Sequence, residues 1–224
     1  MKVFIIIAAY NEEKSISKVI KDLKKEGYSN IIVVNDGSSD STQNKAEDAG
    51  AVVLTHVINR GQGAALKTGI DYAIFQGADI VVTFDADGQF LASEIKKVIE
   101  PIISDEADIV LGSRFLGSAK NIPLLKKIIL KIGVIFVYLL YGIKVSDSQN
   151  GFRAMSRKAA EMININSNRM EHAGEILHEI RQKNLKYKEV PVTVIYSDYA
   201  IKKGQNWTHS FGLGLNMILK KLTR

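Results

Sequence analysis

The feature that most constrains this chain is a series of short, uncharged runs rich in valine and isoleucine, separated by longer amphipathic stretches. Strands that are buried on both faces of a parallel sheet have this composition. The runs cover residues 3–7, 31–34, 52–54, 80–84 and 109–111. We therefore expect an α/β fold with a mostly parallel central sheet flanked by helices.

The stretches between these runs carry apolar residues at helical spacing, as at Ile16, Val19, Ile20 and Leu23. Glycines follow three of these stretches, at the position where a left-handed residue ends a helix. They are Gly27, Gly50 and Gly77. Because such sheets bind ligands at the carboxyl ends of their strands, the loops after the strands are the candidate site.

Composition excludes several classes of protein. The chain has no cysteine, so disulfides, thiolate metal sites and cysteine nucleophiles are ruled out. The formal net charge of +6 indicates an anionic partner, but it does not choose among nucleic acid, nucleotide, lipid headgroup and lipid phosphate.

The loops after the first two runs contain carboxylates beside turn residues. The first reads Tyr10-Asn11-Glu12, and the second has Asp36 before a glycine. An ionised aspartate only accepts hydrogen bonds, which suits a base edge or a ribose hydroxyl. The same residues also suit a plain turn before a capped helix, and both interpretations stay open here.

The loop after the fourth run reads Asp85-Ala86-Asp87-Gly88-Gln89. Two carboxylates this close repel each other unless a cation joins them. An all-oxygen set suits Mg²⁺ or Mn²⁺, which commonly bridges to phosphate oxygens, although the short pattern also occurs in ordinary turns.

The glycines of residues 61–63 do not form a dinucleotide fingerprint, because the third glycine is absent and the segment follows the third strand instead of the first. A dehydrogenase is therefore excluded. The Asn59-Arg60-Gly61 loop enters a helix, where it can contact phosphate or sugar.

Taken in order, these motifs resemble family 2 glycosyltransferases of the GT-A fold. Within that family, the chain most resembles the branch of dolichyl-phosphate mannose synthases and bacterial polyprenyl-phosphate glycosyltransferases. The matching segments are residues 9–13 (AYNEE), 35–42 (NDGSSDST), 59–63 (NRGQG), 85–89 (DADGQ), 112–115 (GSRF), 147–153 (DSQNGFR) and 189–192 (EVPV).

The resemblance implies one GT-A domain over residues 1–224, with a nucleotide-sugar half at 1–112 and an acceptor half at 113–224. It implies these donor-binding residues: Ala8, Tyr10, Glu12, Asp36, Asp85, Ala86 and Lys203. It implies that Asp85, Asp87 and Gln89 hold Mg²⁺ or Mn²⁺. It implies these catalytic residues: Asp87, Arg114, Asp147 and Glu171. Ala8 and Asn35 depart from the family pattern, which has proline and aspartate there.

The function that the resemblance implies is inverting, metal-dependent transfer of a sugar from a nucleoside-diphosphate sugar to a polyprenyl (dolichyl or undecaprenyl) phosphate. One alternative is transfer to a glycan hydroxyl in cell-surface polysaccharide assembly, which needs a general base such as Asp147 or Glu171. A non-catalytic sugar-nucleotide-binding subunit is the other alternative. We expect no nucleic-acid partner.

Residues 132–143 carry no charge, and this run is too short to cross a bilayer. It is either a buried helix or an interfacial helix whose flanking Lys126, Lys127 and Lys131 face anionic lipid. In the second case the protein is cytoplasmic and peripheral at the cytoplasmic membrane face, held directly or through a separate membrane protein.

A second group of polar residues lies further along the chain, at Glu171, Glu175 and His178. These residues share one helical face, which suits either a metal set or an ordinary polar surface.

Overall fold

The structure is a computed structural model, and it describes residues 1–197. Its strands are β1 (Val3–Ala9), β2 (Ile31–Asn35), β3 (Val52–Thr55), β4 (Ile80–Asp85), β5 (Ile109–Lys120), β6 (Arg153–Ser156) and β7 (Tyr187–Ile195). Its helices are α1 (Ile16–Lys25), α2 (Thr42–Asp48), α3 (Gln62–Phe75), α4 (Ile95–Ile103), α5 (Leu124–Tyr141), α6 (Arg157–Met162) and α7 (His172–Gln182), with a 3₁₀ turn at Ala92–Glu94.

Over the described residues the strands form a sheet in the order β3-β2-β1-β4-β6-β5-β7. Strand β6 is antiparallel to both neighbours, and the other pairings are parallel. Ala9 pairs with Asn35, and Ala8 pairs with Asp85. The carboxyl ends of β1, β2 and β4 therefore meet at one edge, where their loops lie side by side.

The sheet is covered on both faces. Ile5 and Ile7 pack with residues of α1 and α4, whereas Ile6, between them on β1, packs with residues of α3 and α7. All three isoleucines are fully buried. The predicted α/β class is confirmed, because successive residues of a central strand bury opposite faces.

Gly27 and Gly77 adopt positive φ values of 86° and 80° after α1 and α3, as the left-handed cap predicts. Strand β5 is longer than its apolar run, because residues beyond Leu111 continue to pair with β7 through an irregularity between Ser113 and Ser118. The boundary that we expected after residue 112, between the nucleotide-sugar half and the acceptor half, falls inside β5.

Helix α5 is mostly a surface helix, so the buried-helix interpretation of residues 132–143 is wrong for most of this segment. Among the residues of α5 only Val137 is fully buried, while Leu124, Ile132 and Leu139 are 73%, 60% and 73% exposed. Within residues 1–197, no helix combines the length and the apolar character that crossing a membrane requires.

Candidate active site

Asp36 lies at the end of β2, and its buried carboxylate holds the loop that begins α3. Oδ1 accepts the backbone N–H of Arg60 at 2.9 Å, and Oδ2 accepts that of Gly61 at 2.7 Å. His56 Nδ1 lies 2.7 Å from Oδ1, and His56 Nε2 lies 3.0 Å from Thr68 Oγ1. Asp36 therefore fixes the loop that leads into α3, a structural role that the sequence did not reveal. Its contact with the donor stays a prediction.

The loops after β1 and β2 are joined to each other. Asn11 Oδ1 accepts the backbone N–H of Ser39 at 2.8 Å, and the N–H of Asn11 donates to Ser38 Oγ at 2.9 Å. Asn35 Oδ1 accepts the N–H of Ser38 at 3.1 Å. This is the plain turn that the sequence offered as the alternative to a ligand contact. This turn and the carboxylate of Asp36 coexist, so neither interpretation excludes the other.

Asp85 lies at the end of β4 and Asp87 in the loop that follows, and both are half-buried. Burial and the charge of Asp87 raise the pKa of Asp85 to about 7, and burial also raises the pKa of Asp87. Glu12, after β1, adds to both shifts through its negative charge. The charges of Arg114 and Arg153 oppose the rise at Asp85 without cancelling it, so the ionised carboxylates are disfavoured here, and a bound cation would stabilise them.

These carboxylates fit a divalent cation, since carboxylate oxygens are the ligands that Mg²⁺ and Mn²⁺ prefer. Gln89 supports Asp87, donating its backbone N–H to Oδ1 at 3.0 Å and its amide to Oδ2 at 2.5 Å. In the described part of the chain, no three acidic or histidine side chains form a complete metal site. Mg²⁺ commonly takes its remaining ligands from water and substrate phosphates.

The motif at residues 147–153 lies against the same carboxylates. The O–H of Thr83 donates to the carbonyl of Gly151 at 2.6 Å, and a Cβ at residue 151 would lie 2.9 Å from Asp85 Oδ1. Only glycine allows this close approach of the backbone.

Arg114, on β5, forms a buried ion pair with Asp147. Its Nε lies 2.6 Å from Asp147 Oδ2, and its backbone N–H donates to the same oxygen at 3.1 Å. Burial lowers the pKa of Arg114, but Asp147 and Tyr196 more than offset this and raise it above its ordinary value. Asp147, predicted to be catalytic, is thus engaged in holding Arg114.

Two residues that the sequence did not assign to this site complete it. The hydroxyl of Tyr196 lies 2.5 Å from a terminal nitrogen of Arg114. Lys126 Nζ lies 4.8 Å from the centroid of the Tyr196 ring, a cation–π contact. Burial and the charge of Arg114 lower the pKa of Lys126, whereas Asp87 opposes the shift. Lys126 is half-buried against Tyr196, whereas Lys127 and Lys131 are exposed. The placement of Lys126 beside membrane lipid stays a prediction.

Glu171 immediately precedes α7, whose first turn contacts a second buried cation, Arg153. Arg153 donates to the carbonyls of Asn150 at 3.0 Å and of Ala173 at 3.4 Å, which ties α7 to the motif loop. Burial and the charge of Arg153 lower the pKa of His172 to about 4.

The metal set suggested by Glu171, Glu175 and His178 is wrong. Glu175 Oε2 accepts the backbone N–H groups of Asn166 and Ser167, and the ring of His178 lies 4.9 Å from that of Tyr141. Glu175 is buried and serves the structure by binding these backbone groups, so this face is not an ordinary polar surface either.

The remaining predicted donor-binding residues vary in exposure. Tyr10 is exposed, Ala8 is half-buried, and Ala86 is buried. Lys203 lies outside the described residues.

Comparison with known proteins identifies the family. The model of Glycosyl transferase family 2 matches residues 4–163. An uncharacterized protein of Methanocaldococcus jannaschii, MJ1222, is 41% identical over 99% of this chain and 93% of its own length. The UDP-N-acetylglucosamine–dolichyl-phosphate N-acetylglucosaminyltransferase of Methanococcus voltae is 37% identical over 98% of this chain and 96% of its own length.

A solved structure shares the fold. Glucosyl-3-phosphoglycerate synthase from Mycobacterium tuberculosis, in complex with Mn²⁺, uridine diphosphate and glucosyl-3-phosphoglycerate, matches with a TM-score of 0.76. The match covers 98% of this chain and 79% of that one at 16% identity. The expected GT-A fold is confirmed. The chain belongs to glycosyl transferase family 2 and is a glycosyltransferase.

Proposed function

We propose that this glycosyltransferase moves a sugar from a nucleoside-diphosphate sugar to a polyprenyl phosphate, with inversion at the anomeric carbon. The observation that carries the proposal is the position of Arg114 and Lys126. Both cations contact Tyr196, and Lys126 belongs to α5, whose outer surface is exposed and apolar. The charge of Asp87 acts on Lys126. A phosphate attached to an apolar chain needs both kinds of surface side by side.

The names of related proteins support this acceptor. Besides the Methanococcus voltae transferase, a dolichol-phosphate mannosyltransferase of Pyrococcus furiosus is 33% identical over 86% of this chain, which spans 56% of that protein. We take UDP-N-acetylglucosamine and dolichyl phosphate as the first substrate pair to test, because the Methanococcus voltae transferase is matched over nearly its whole length.

In the proposed reaction, an oxygen of the lipid phosphate attacks the anomeric carbon from the face opposite the diphosphate. The new bond joins that oxygen to the carbon, and the electron pair of the broken bond leaves with the diphosphate. A lipid phosphate is already ionised near pH 7, so no side chain needs to remove a proton. This agrees with the engagement of Asp147 in an ion pair.

Asp85 and Asp87 are the residues that would hold Mg²⁺ or Mn²⁺, with Gln89 orienting Asp87. Such a cation neutralises charge on a leaving diphosphate. Arg114 and Lys126 supply fixed positive charge close to the same point, where developing negative charge is stabilised without reorganisation.

The acceptor class is tested by offering dolichyl phosphate and a soluble oligosaccharide to the purified protein with UDP-N-acetylglucosamine and Mn²⁺. We expect a product with the mass of the sugar-linked lipid phosphate. A faster reaction with the oligosaccharide would overturn the proposal in favour of a glycan hydroxyl acceptor, with Glu171 as the candidate base. No turnover with either acceptor, at retained nucleotide binding, would favour a binding subunit.

We expect Asp36→Asn to weaken donor binding, because it removes the charge that holds the N–H groups of Arg60 and Gly61. Loss of such charged hydrogen bonds costs about 1.5 to 3 kcal/mol of folding free energy, which sets an upper limit of roughly 10- to 150-fold on the loss of affinity. Titration calorimetry with UDP measures this directly, and a melting curve checks the fold. Unchanged affinity would show that Asp36 does not shape the donor pocket.

We also propose that α5 rests on the membrane surface, because Lys127 and Lys131 share its exposed face with Ile128 and Ile135. Each lysine contributes about 1 kcal/mol near anionic lipid. We expect the Lys127→Gln/Lys131→Gln double variant to bind anionic liposomes about 30-fold more weakly at low salt, while UDP affinity is unchanged.

The matched control for this variant is Lys21→Gln/Lys25→Gln, which removes two exposed lysines at the same spacing from α1. If both double variants lose equal affinity for liposomes, general positive charge explains binding and α5 has no special part.

A further inference from the structure

Glu189 belongs to the EVPV segment, to which the proposed reaction assigns no role. It lies on β7, paired in register with Leu111 of β5. Its carboxylate accepts the backbone N–H of Ser146 at 2.8 Å and that of Asp147 at 3.3 Å. It also accepts the hydroxyl of Ser146 at 2.8 Å. Glu189 thus anchors the segment at residues 146–147.

Residues 146–147 in turn hold Arg114, through the side chain of Asp147. Asp147, whose N–H is bound by Glu189, accepts both the Nε–H and the backbone N–H of Arg114. A shift of residues 146–147 would carry the Asp147 carboxylate with it and change the direction of the guanidinium.

The Glu189 carboxylate is also linked to β5, the strand that carries Arg114, through two serine hydroxyls. Ser113 Oγ accepts the N–H groups of Phe115 and Leu116, both at 3.2 Å, and lies 2.6 Å from Ser146 Oγ. A serine hydroxyl has one proton, so with Ser146 donating to Glu189, Ser113 donates to Ser146. This series of hydrogen bonds ends on the Glu189 carboxylate, which only accepts, so the donor in each bond is fixed.

We propose that Glu189 is a positioning residue that sets the orientation of Arg114 through Ser146 and Asp147 and touches no substrate itself. The proposal rests on the role given to Arg114 in the proposed function. A glutamine at residue 189 would point an amide N–H₂ at N–H groups that need an acceptor, so part of the anchor would be lost at nearly constant volume.

We expect Glu189→Gln to lower kcat/KM for dolichyl phosphate by about 10- to 100-fold, the effect of displacing a reacting group by about 1 Å. The dissociation constant of UDP, measured by calorimetry, should stay within about twofold of wild type. The matched control is Glu179→Gln, which alters a buried carboxylate that also accepts a backbone N–H, that of Asn164. It should cost thermal stability and leave kcat/KM unchanged.

A double-mutant cycle with Arg114→Lys separates positioning from general destabilisation. If Glu189 acts through Arg114, the double variant should be no slower than Arg114→Lys alone. Additive losses, or equal losses in Glu189→Gln and Glu179→Gln, would overturn the proposal. If Glu189→Gln does not fold, the same cycle is measured with Glu189→Asp, which keeps the charge on a shorter side chain. The same outcomes then support or overturn the proposal.

The cycle also distinguishes this proposal from the one on which it rests. Full activity of Arg114→Lys and Arg114→Ala would remove Arg114 from the reaction and overturn both. A slow Arg114→Lys beside a fully active Glu189→Gln would overturn the positioning role alone.

Discussion

Asp87→Asn is expected to lower sugar transfer by about 10³-fold, because the leaving diphosphate loses an essential part of its charge stabilisation. The substitution keeps the size of the side chain and lets Oδ1 still accept the N–H of Gln89. We expect the fold to be kept, and the melting temperature to be equal or higher. The charge of Asp87 raises the pKa of Asp85, and removing that charge relieves the repulsion in the folded state.

Three measurements check this prediction: initial rates with Mn²⁺, melting curves, and the shift of the melting temperature when Mn²⁺ and UDP are added together. A ligand that binds only the folded state raises that temperature, so the shift should appear in wild type and vanish in Asp87→Asn. Asp71→Asn, on the exposed surface of α3, is the control. Near-normal rates in Asp87→Asn, or full activity in EDTA, would remove the cation from the reaction.

The sequence predicted the fold and the carboxyl-edge loops because both depend on local patterns. Strands such as β1 and β4 are continuous apolar runs, and the residues after them must reach the same edge once the sheet is parallel. The pattern at residues 85–89 therefore predicted that these two carboxylates repel each other, and in the structure burial and the charge of Asp87 both raise the pKa of Asp85.

Contacts between distant segments were not predictable in this way. Arg114 and Tyr196 are 82 residues apart, and no spacing pattern links an arginine on β5 to a tyrosine after β7. Lys126 stands in a basic, apolar stretch that looks uniform along the chain, yet the helix turns this lysine inward while Lys127 stays exposed. Which face of α5 meets the protein depends on packing, which the sequence pattern left undecided.

The second large effect is expected at Arg114. Arg114→Ala should lower transfer by about 10²- to 10³-fold, since it removes the cation that is paired with Asp147 and whose charge acts on Asp85. It should also destabilise the fold, because Asp147 is left as a buried, unpaired charge, at a cost of about 3 to 5 kcal/mol. On its own, this variant cannot separate lost chemistry from a loosened site.

The variant that separates them is Arg114→Ala/Asp147→Ala, which removes both partners of the ion pair. Replacing both members of a buried pair is far less costly than removing one, so most of the lost melting temperature should return. Activity should not return with it, because the cation is still missing. If the double variant recovers transfer together with stability, Arg114 serves only to neutralise Asp147, and Lys126 would then be the cation that meets the phosphate.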